Sequence, residues 1–510
     1  MSKELLAGVH NAIRWIERNS ILNQGIGTTS NAKRAYPEVT GYLVPTLIEW
    51  GERDIARNYV DWLLSIQLSN GGFADPTGRH EMVFDTGQVM RGLLAANKIW
   101  PSAKIEDSCR RCASWVMSLI DEDGGIGRIP DSTQWKGAIP LQVLLYSFEP
   151  FRRYFQEIQD IEMSRKIDNA IGGLMIEAGE ESESSLNHFH AYYIDAVLDL
   201  GYVELARKLM FKVKKFMRSD GFLPGRPSAP WMCSTGQFQY AQIFYKLGQK
   251  SDGDAALFAG LGKQNRSGGW FGSYRDGVGS VWHRYVLPHG KWIGQEIPYF
   301  SNVEIPWATK YFLDAVDSKL KLEFEEMHEI FSSSIDLDDG RLLLLRQSME
   351  YAHPVNILDV GCGKGRYLRA LGENGRQLVG VDLSASILKY VPDFVEARVG
   401  SLTNLPCSDG EFDFVFAIES LEHAVNVKGA IRELSRVVRV GGTLLIIDKN
   451  SSYLGRFRFR KPLWEQWFNR KHLSKDLRKE GFSVEVVRTV PYEGRNDGLF
   501  AAWICVKMAS

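Results

Sequence analysis

Several absences place this chain before any motif does. No run of about 18 uninterrupted apolar residues occurs in it, so it offers no membrane-spanning helix. Cysteine is scarce, six residues in 510, too few for a disulfide framework. Cys109 and Cys112 make a lone CxxC inside a helical pattern, with no second pair and no His nearby, so two half-buried thiols are expected and no metal site. A reducing, cytoplasmic setting is the expectation that follows. An excess of one charge is missing too: the net charge is −1. From Tyr351 onward 23 Lys and Arg face 18 Asp and Glu, a balance of +5 that leaves −6 for the rest. Neither value is the footprint of a nucleic-acid binder, and no nucleic-acid partner is expected. The opening segment MSKELLAGVHNAIRWIERN carries Glu4, His10, Arg14 and Glu17 where a signal peptide would be continuously apolar, and it reads as an amphipathic helix.

What the first 320 residues do contain is a repeat. Glycine turns recur after helical segments, and Gly72, Gly125, Gly221 and Gly269 are spaced by 53, 96 and 48 positions. The middle gap is close to double the others, as if one turn were lost or altered. Between the turns lie six segments that are apolar on most faces, beginning at Thr40, Thr86, Lys136, His190, Thr235 and Ile305. They have the composition of helices buried all round. The helices before the turns, such as RDIARNYVDWLLSIQ, carry a charged stripe and belong outside. Pairs of this kind cannot bury their apolar faces alone, and closing six of them gives an all-α (α/α)6 toroid over residues 1–320.

Gln264–Trp270 fits QxxxGxW, and Gln67–Phe73 fits it with Phe for Trp. This resembles the repeat of terpenoid-cyclase and prenyltransferase toroids, a scaffold motif in which Gln satisfies helix-end groups and the aromatic packs on the next turn. Toroids of this class also include polysaccharide lyases and glycoside hydrolases, so the likeness names no reaction. Tyr36, Glu38, His80, Glu81, Asp85, Lys136, His188, His190, His283 and Glu296 gather at the expected inner-helix N-termini, a set that suits a sugar. Asp336-Leu-Asp-Asp339 spells the acidic motif of terpenoid cyclases but falls in an interdomain turn. Residues 321–349 read as a linker and helix.

After Pro354 the pattern switches to alternating strands and helices. Asn356-Ile-Leu-Asp-Val-Gly361 runs as a strand into Cys362-Gly-Lys-Gly365 and a helix, a turn that lets a ligand lie against bare backbone at a helix N-terminus. Gln377-Leu-Val-Gly-Val-Asp382 is a second strand ending in an acid suited to two ribose hydroxyls. Val395–Ser401, Phe412–Glu419 and Val440–Asp448 follow as strands, with Phe500–Val506 closing. LDVGCGKGRYL, VGVDLS, FDFVFAIESLEHA and LSRVVRVGGTLLIID together resemble the class I, type 11-like S-adenosylmethionine-dependent methyltransferases over residues 350–510.

The resemblance implies an α/β Rossmann-like domain with a seven-stranded, mostly parallel sheet and S-adenosylmethionine as cofactor. It implies Asp359, Gly361, Gly363 and Gly365 at the methionine moiety, Asp382 at the ribose, Ser401 and Leu402 beside the adenine, and Glu419 lining the pocket. Where the family often has an acid, this chain has Ser401. His423 and Asp448 are the candidate bases for a hydroxyl or amine acceptor. An insertion follows Asp448; from Arg456 to Lys479 nine Lys and Arg face Glu465 and Asp476. It is expected to cover the acceptor, a small molecule, sugar or glycolipid, or to rest on an anionic membrane surface. The expectation is thus a methyltransferase, O-methylation foremost, whose toroid binds or modifies a carbohydrate. The alternative makes the toroid the principal enzyme (a lyase, hydrolase or cyclase) or a scaffold, with the C-terminal domain only binding the cofactor.

Overall fold

The computed structural model describes residues 3–75, 78, 80–122, 124–125, 143–177, 186–227, 229–275, 299–372, 375–454, 465–491 and 498–509. Lys136, His283 and Glu296, the stretches 126–142 and 178–185 within the doubled glycine gap, and the arginines 456, 458 and 460 lie outside them. The chain divides into two compact units. One comprises Gly8–Leu47 and Arg53–Lys319; the other comprises Met1–Ala7, Ile48–Glu52 and Leu320–Ser510.

The helical region runs in pairs: α1 (Lys3–Asn19) with α2 (Pro37–Glu49), α3 (Arg53–Ile66) with α4 (Val83–Ile99), α5 (Ala103–Met117) with α6 (Leu144–Glu157), α7 (Ile161–Glu177) with α8 (Asn187–Asp199), α9 (Val203–Lys214) with α10 (Ser234–Lys246), and α11 (Lys250–Leu261) with α12 (Pro306–Glu326). Composition separates the members of a pair as their sequences imply. Every residue of α10 from Ser234 to Tyr245 is buried, whereas α9 buries only Ala206, Met210 and Val213.

Each even-numbered helix meets the next. A Cβ added to Gly92 of α4 would stand 2.3 Å from the Gly41 carbonyl oxygen of α2, and one added to Gly41 would stand 2.6 Å from the Val89 Cα. Gln88 Nε2 donates to Ser147 Oγ at 3.3 Å, joining α4 to α6. Tyr146 and Tyr192 pack with centroids 4.6 Å apart, joining α6 to α8. His188 Nδ1 lies 2.8 Å from Gln239 Oε1, joining α8 to α10. Phe238 meets Phe312 at 5.3 Å, and Tyr311 of α12 returns to Tyr42 of α2 at 6.3 Å. Because the α2–α4 contact is backbone on backbone, Gly41→Leu has no side chain to push aside. It should lower stability by about 3 kcal/mol, read as a shift in the urea midpoint.

Glutamines fasten the turns. Gln67 Nε2 donates to the Gly71 carbonyl at 2.9 Å and to the Ser108 carbonyl of α5 at 3.0 Å. Gln264 does the same for Gly268 and, on α1, Gly8, both at 2.9 Å. Trp270 is fully buried and donates to the Gly260 carbonyl at 3.0 Å. Cys109 and Cys112 lie buried within α5, and all six cysteines are free thiols. The Asp336–Asp339 motif serves the next helix: Asp339 caps α13 (Gly340–Ala352) by accepting from Arg341 N at 2.8 Å.

In the other unit seven strands form one mostly parallel sheet: β1 (Asn356–Val360), β2 (Gln377–Asp382), β3 (Glu396–Val399), β4 (Phe412–Ile418), β5 (Val438–Lys449), β6 (Phe482–Val490) and β7 (Phe500–Lys507). Their spatial order is β3-β2-β1-β4-β5-β7-β6, and β7 alone runs antiparallel to both its neighbours. Alternation sends Leu358, Val360, Val415, Ala417, Leu444 and Ile446 to one face, where they meet Ile431 and Leu434. Ile357, Phe414, Phe416, Leu445 and Ile447 go to the other, against Leu342 and Leu345 of α13. β3 is shorter than its sequence suggests. Gly400 N donates to the Asp382 carbonyl at 3.0 Å, after which the chain turns, leaving Ser401 bridged to Asn404. Strand order reverses between β1 and β4, where a parallel sheet opens a crevice at its C-terminal edge. Among the described residues no helix is long and apolar enough to cross a membrane.

Candidate active site

That crevice begins at the exit of β1. Gly361 (φ +76°), Gly363 (φ +55°) and Gly365 (φ +72°) all take left-handed backbone, a conformation costly to residues with a Cβ. At Gly361 a Cβ would also stand 2.4 Å from the Ser420 Cβ, so glycine lets the β4 exit close on the turn. At Gly363 the nearest atom a Cβ would meet is Ile387 Cδ1 at 3.7 Å, so the backbone there borders open space. Gly365 is the N-cap of α14 (Arg366–Leu371).

Asp382, at the tip of β2, stands against this turn. Its Oδ2 accepts from Gly363 N at 2.9 Å, and its Oδ1 accepts from Ser384 N at 3.0 Å. Burial raises its pKa, opposed by those main-chain N–H groups. Each carboxylate oxygen keeps a second lone pair for a further donor. Asp359 is 2% exposed and its Oδ2 has no partner. Burial, aided by Asp382 and opposed by Arg366, pushes its carboxyl well above the usual range. An orphaned buried acid beside bare backbone is a site for a cationic or N–H group. Ser401 Oγ lies 3.2 Å from Thr403 Oγ1, in the turn after β3, and Leu402 packs half-buried against the core.

On the other side of the crevice, Glu419 holds left-handed backbone (φ +55°) immediately after β4. Its Oε1 accepts from Arg366 Nη2 at 2.8 Å and from Arg341 Nη1, so two guanidiniums neutralise it. Leu421–His423 forms a 3-10 turn. His423 retains 24% side-chain exposure; its Nε2 is 3.8 Å from Glu422 Oε1, and its ring meets Phe324 edge-on at 5.7 Å. Asp448, near the end of β5, is fully buried, and neither carboxylate oxygen has a hydrogen-bond partner. Burial, then Glu422 and Glu419, push its carboxyl well above the usual range.

Further contributors escaped the sequence reading. Glu422 is fully buried, bonded to Lys449 Nζ at 2.9 Å; burial pushes its carboxyl up to about 7 against the pull of that ammonium. Its spacing of three from Glu419 was the available signal. Glu465 shares Lys449, and Gln466 N donates to the Glu422 carbonyl at 2.6 Å, so the chain leaving the basic insertion docks on the Glu422 turn. Glu325, beyond α12's core-facing stretch, accepts from Ser384 Oγ at 2.6 Å and Ser386 N at 3.1 Å. With Phe324 on His423, the last turn of α12 touches both the β2 loop and the β4 loop. Nothing in the local sequence announced that contact. The cysteine of the glycine turn, Cys362, is buried, and burial raises its thiol pKa. Among the described residues no group of His, Cys, Asp and Glu is arranged to hold a metal ion.

A sheet of this order, with glycine backbone and an acid paired across β1 and β2, defines an S-adenosylmethionine-dependent methyltransferase domain of class I. Residues 358–446 match the family model described as a methyltransferase domain. The chain is similar to norajmaline N-methyltransferase of Rauvolfia serpentina, 35% identical over 105 residues that make up 19% of this chain and 36% of that protein. It is similar to the mitochondrial ubiquinone biosynthesis O-methyltransferase of Rattus norvegicus, 27% identical over 197 residues, 33% of this chain and 57% of the other. Among solved structures it is similar to an S-adenosylmethionine-dependent methyltransferase from Mesorhizobium loti, with 18% identity and a TM-score of 0.30, covering 33% of this chain and 98% of that one. The chain thus spans from about a third to a little over half of the length of these curated relatives. The C-terminal part of the chain is a class I methyltransferase domain, and its cofactor is S-adenosylmethionine.

Proposed function

We propose that the chain transfers the methyl group of S-adenosylmethionine to a hydroxyl of a small-molecule acceptor, with a sugar or glycolipid the favoured class. The observation that carries this reading is the Gly363 N–Asp382 contact beside an open cradle and the orphaned acid of Asp359. Asp359 with Gly361, Gly363 and Gly365 would hold the methionine end and Asp382 the ribose hydroxyls. Ser401 and Leu402 would lie beside the adenine, and Glu419, its charge matched by Arg341 and Arg366, would wall the pocket. When bound, the cofactor supplies a methyl already activated on a sulfonium, so the protein's task is alignment, exclusion of water and removal of one proton. Asp448, with Glu422 at its side, is suited to take that proton from an acceptor hydroxyl, and His423 to orient the hydroxyl or relay the proton.

For the helical region we propose the (α/α)6 toroid, supported by the succession of inner-helix contacts from α2 back to α2 and by the paired glutamine fastenings. Its role in the reading is to hold the carbohydrate part of the acceptor. The segment 456–479 would cover the acceptor, supported by the Gln466–Glu422 contact at its described end, and its charge suits a phosphate-bearing acceptor or an anionic membrane surface.

Calorimetry of the full chain with S-adenosylmethionine, followed by labelled methyl transfer onto nucleotide sugars, glycolipids and free oligosaccharides, tests the proposal. Saturable binding with label on one of these is expected; no binding would overturn it. Glu325→Ala should weaken cofactor binding about fivefold. The substitution frees the Ser384 loop that positions Asp382, and the same titration reads the change.

A further inference from the structure

α9 packs with one stripe and exposes a second apolar feature that its packing does not use. Ala206, Met210 and Val213 bury the helix, with Leu205 and Leu209 half-buried beside them. Phe211 points away from that stripe and is 64% exposed. On a helix the neighbours of a side chain are those three and four positions before and after it. For Phe211 these are Arg207, Lys208, Lys214 and Lys215, all four basic and all four exposed. Lys215 holds its ammonium 5.0 Å from the centre of the Phe211 ring. Phe216, just past the end of the helix, is 41% exposed. Acids offset only part of this charge. Arg207 has Glu204 at 3.7 Å and Lys214 has Asp252 at 2.7 Å, whereas among the described residues no carboxylate pairs with Lys208 or Lys215. Residues 202–218 hold six Lys and Arg against one Glu, within a stretch, residues 1–350, whose balance is −6 with them and −11 without.

An aromatic ring framed by cations suits a helix lying in a lipid interface. The ring enters the boundary between headgroups and acyl chains, and the long stems of Lys and Arg let their charges stay at the level of the headgroups. A folded protein partner would have to desolvate four cations around the ring, a cost that a wet, anionic headgroup layer does not impose. We propose that this face of α9 rests on an anionic lipid surface, with Phe211 at the headgroup–acyl boundary and Arg207, Lys208, Lys214 and Lys215 among the headgroups. The surface is independent of the methyl-transfer reading: it needs no cofactor and uses no residue of that crevice or of the segment 456–479.

Flotation of the full chain with vesicles tests it, using phosphatidylcholine alone and phosphatidylcholine with about 30% phosphatidylserine. The wild type is expected to float with the anionic vesicles and not with the neutral ones, and high salt should release it, because exposed charges are screened. Phe211→Ala should weaken partition about tenfold. Lys208→Gln combined with Lys215→Gln should weaken it about 25-fold, roughly fivefold for each charge removed. These side chains are exposed, so both variants should keep the wild-type thermal midpoint and the wild-type affinity for S-adenosylmethionine. Absence of the wild type from the anionic vesicles would overturn the proposal, as would equal flotation with the neutral ones. So would full vesicle binding by both variants, which would move the contact to another segment, or binding to a single-stranded oligonucleotide in preference to the vesicles. Failure of methyl transfer with vesicle binding intact would count against the proposed function alone.

Discussion

Asp382→Ala is expected to raise the dissociation constant for S-adenosylmethionine by at least about 100-fold. The carboxylate would serve two ligand hydroxyls, and hydrogen bonds to a charged group contribute about 1.5–3 kcal/mol each. It also holds the glycine turn, because its Oδ2 accepts from Gly363 N at 2.9 Å and its Oδ1 from Ser384 N at 3.0 Å. Removing it therefore takes away ligand partners and unties the backbone that must approach the ligand. Asp382→Asn keeps the shape and one acceptor oxygen, and should lose about tenfold. Calorimetry with S-adenosylhomocysteine reads both, with far-UV circular dichroism to establish that the sheet persists. Affinity within threefold of wild type for Asp382→Ala would remove this residue from the cofactor site.

The second large effect belongs to the buried acids. Asp448→Asn and Glu422→Gln are each expected to lower kcat by about 10²–10³ on the acceptor that the transfer screen yields, within the roughly 10²–10⁴ that a positioned base contributes. The KM for the cofactor should stay nearly constant. The two acids act as a pair. Asp448 has no partner for either oxygen, and Glu422 has one oxygen on Lys449 and the other unpartnered. Burial holds Glu422 near 7, so wild-type kcat should climb as pH rises through about 7 and level off above it. Glu422→Gln should remove or displace that limb.

Stability should move the opposite way. The folded-state pKa of Glu422 is raised above its ordinary 4.5. Its protonated form therefore favours the native state fully below about pH 4.5, and that contribution is lost as pH rises through about 7. The thermal midpoint of Glu422→Gln should accordingly fall less between pH 5 and 8 than that of wild type. His423→Ala, on a partly exposed ring, should cost about tenfold in turnover with cofactor affinity unchanged. A loss in His423→Ala equal to that in Asp448→Asn, with the pH limb following His423, would reassign the proton acceptor.

The cofactor half of the site was written locally. A short apolar strand, three glycines and an acid at the next strand's tip are contiguous features, and backbone geometry at Gly361 and Gly363 follows from what those residue types tolerate. The acceptor half was not. Asp448 could be singled out as a candidate base at a strand end, but its burial could not be read locally. It is fully buried because β5 runs on to Lys449 and is flanked by β4 and β7, a pairing set by partners far along the chain. Glu422 stood in a segment already singled out, yet its protonation depends on its burial and on two distant groups, Lys449, 27 residues away, which favours the charged form, and Glu465, farther on, which disfavours it. Glu325 is more remote still, reaching Ser384 across 59 positions. In the helical region, hydrophobic patterning alone separated buried helices such as α10 from half-exposed ones such as α9. The short β3 escaped because its end is set by the Gly400–Asp382 hydrogen bond and not by its own composition.

The Gln264 fastening has a consequence for synthesis. Its amide completes the hydrogen bonding of the Gly8 carbonyl on the first helix, 256 residues earlier in the chain. At translation rates of about 5–20 residues per second, the ribosome needs roughly 13–50 seconds to deliver that partner. Throughout that interval the apolar surfaces of α2, α4, α6, α8 and α10 emerge before the segment that fastens the last turn to the first helix. Nascent chains stalled before Gln264 should therefore be held by chaperones and cut readily by proteases, and chains released beyond it should not.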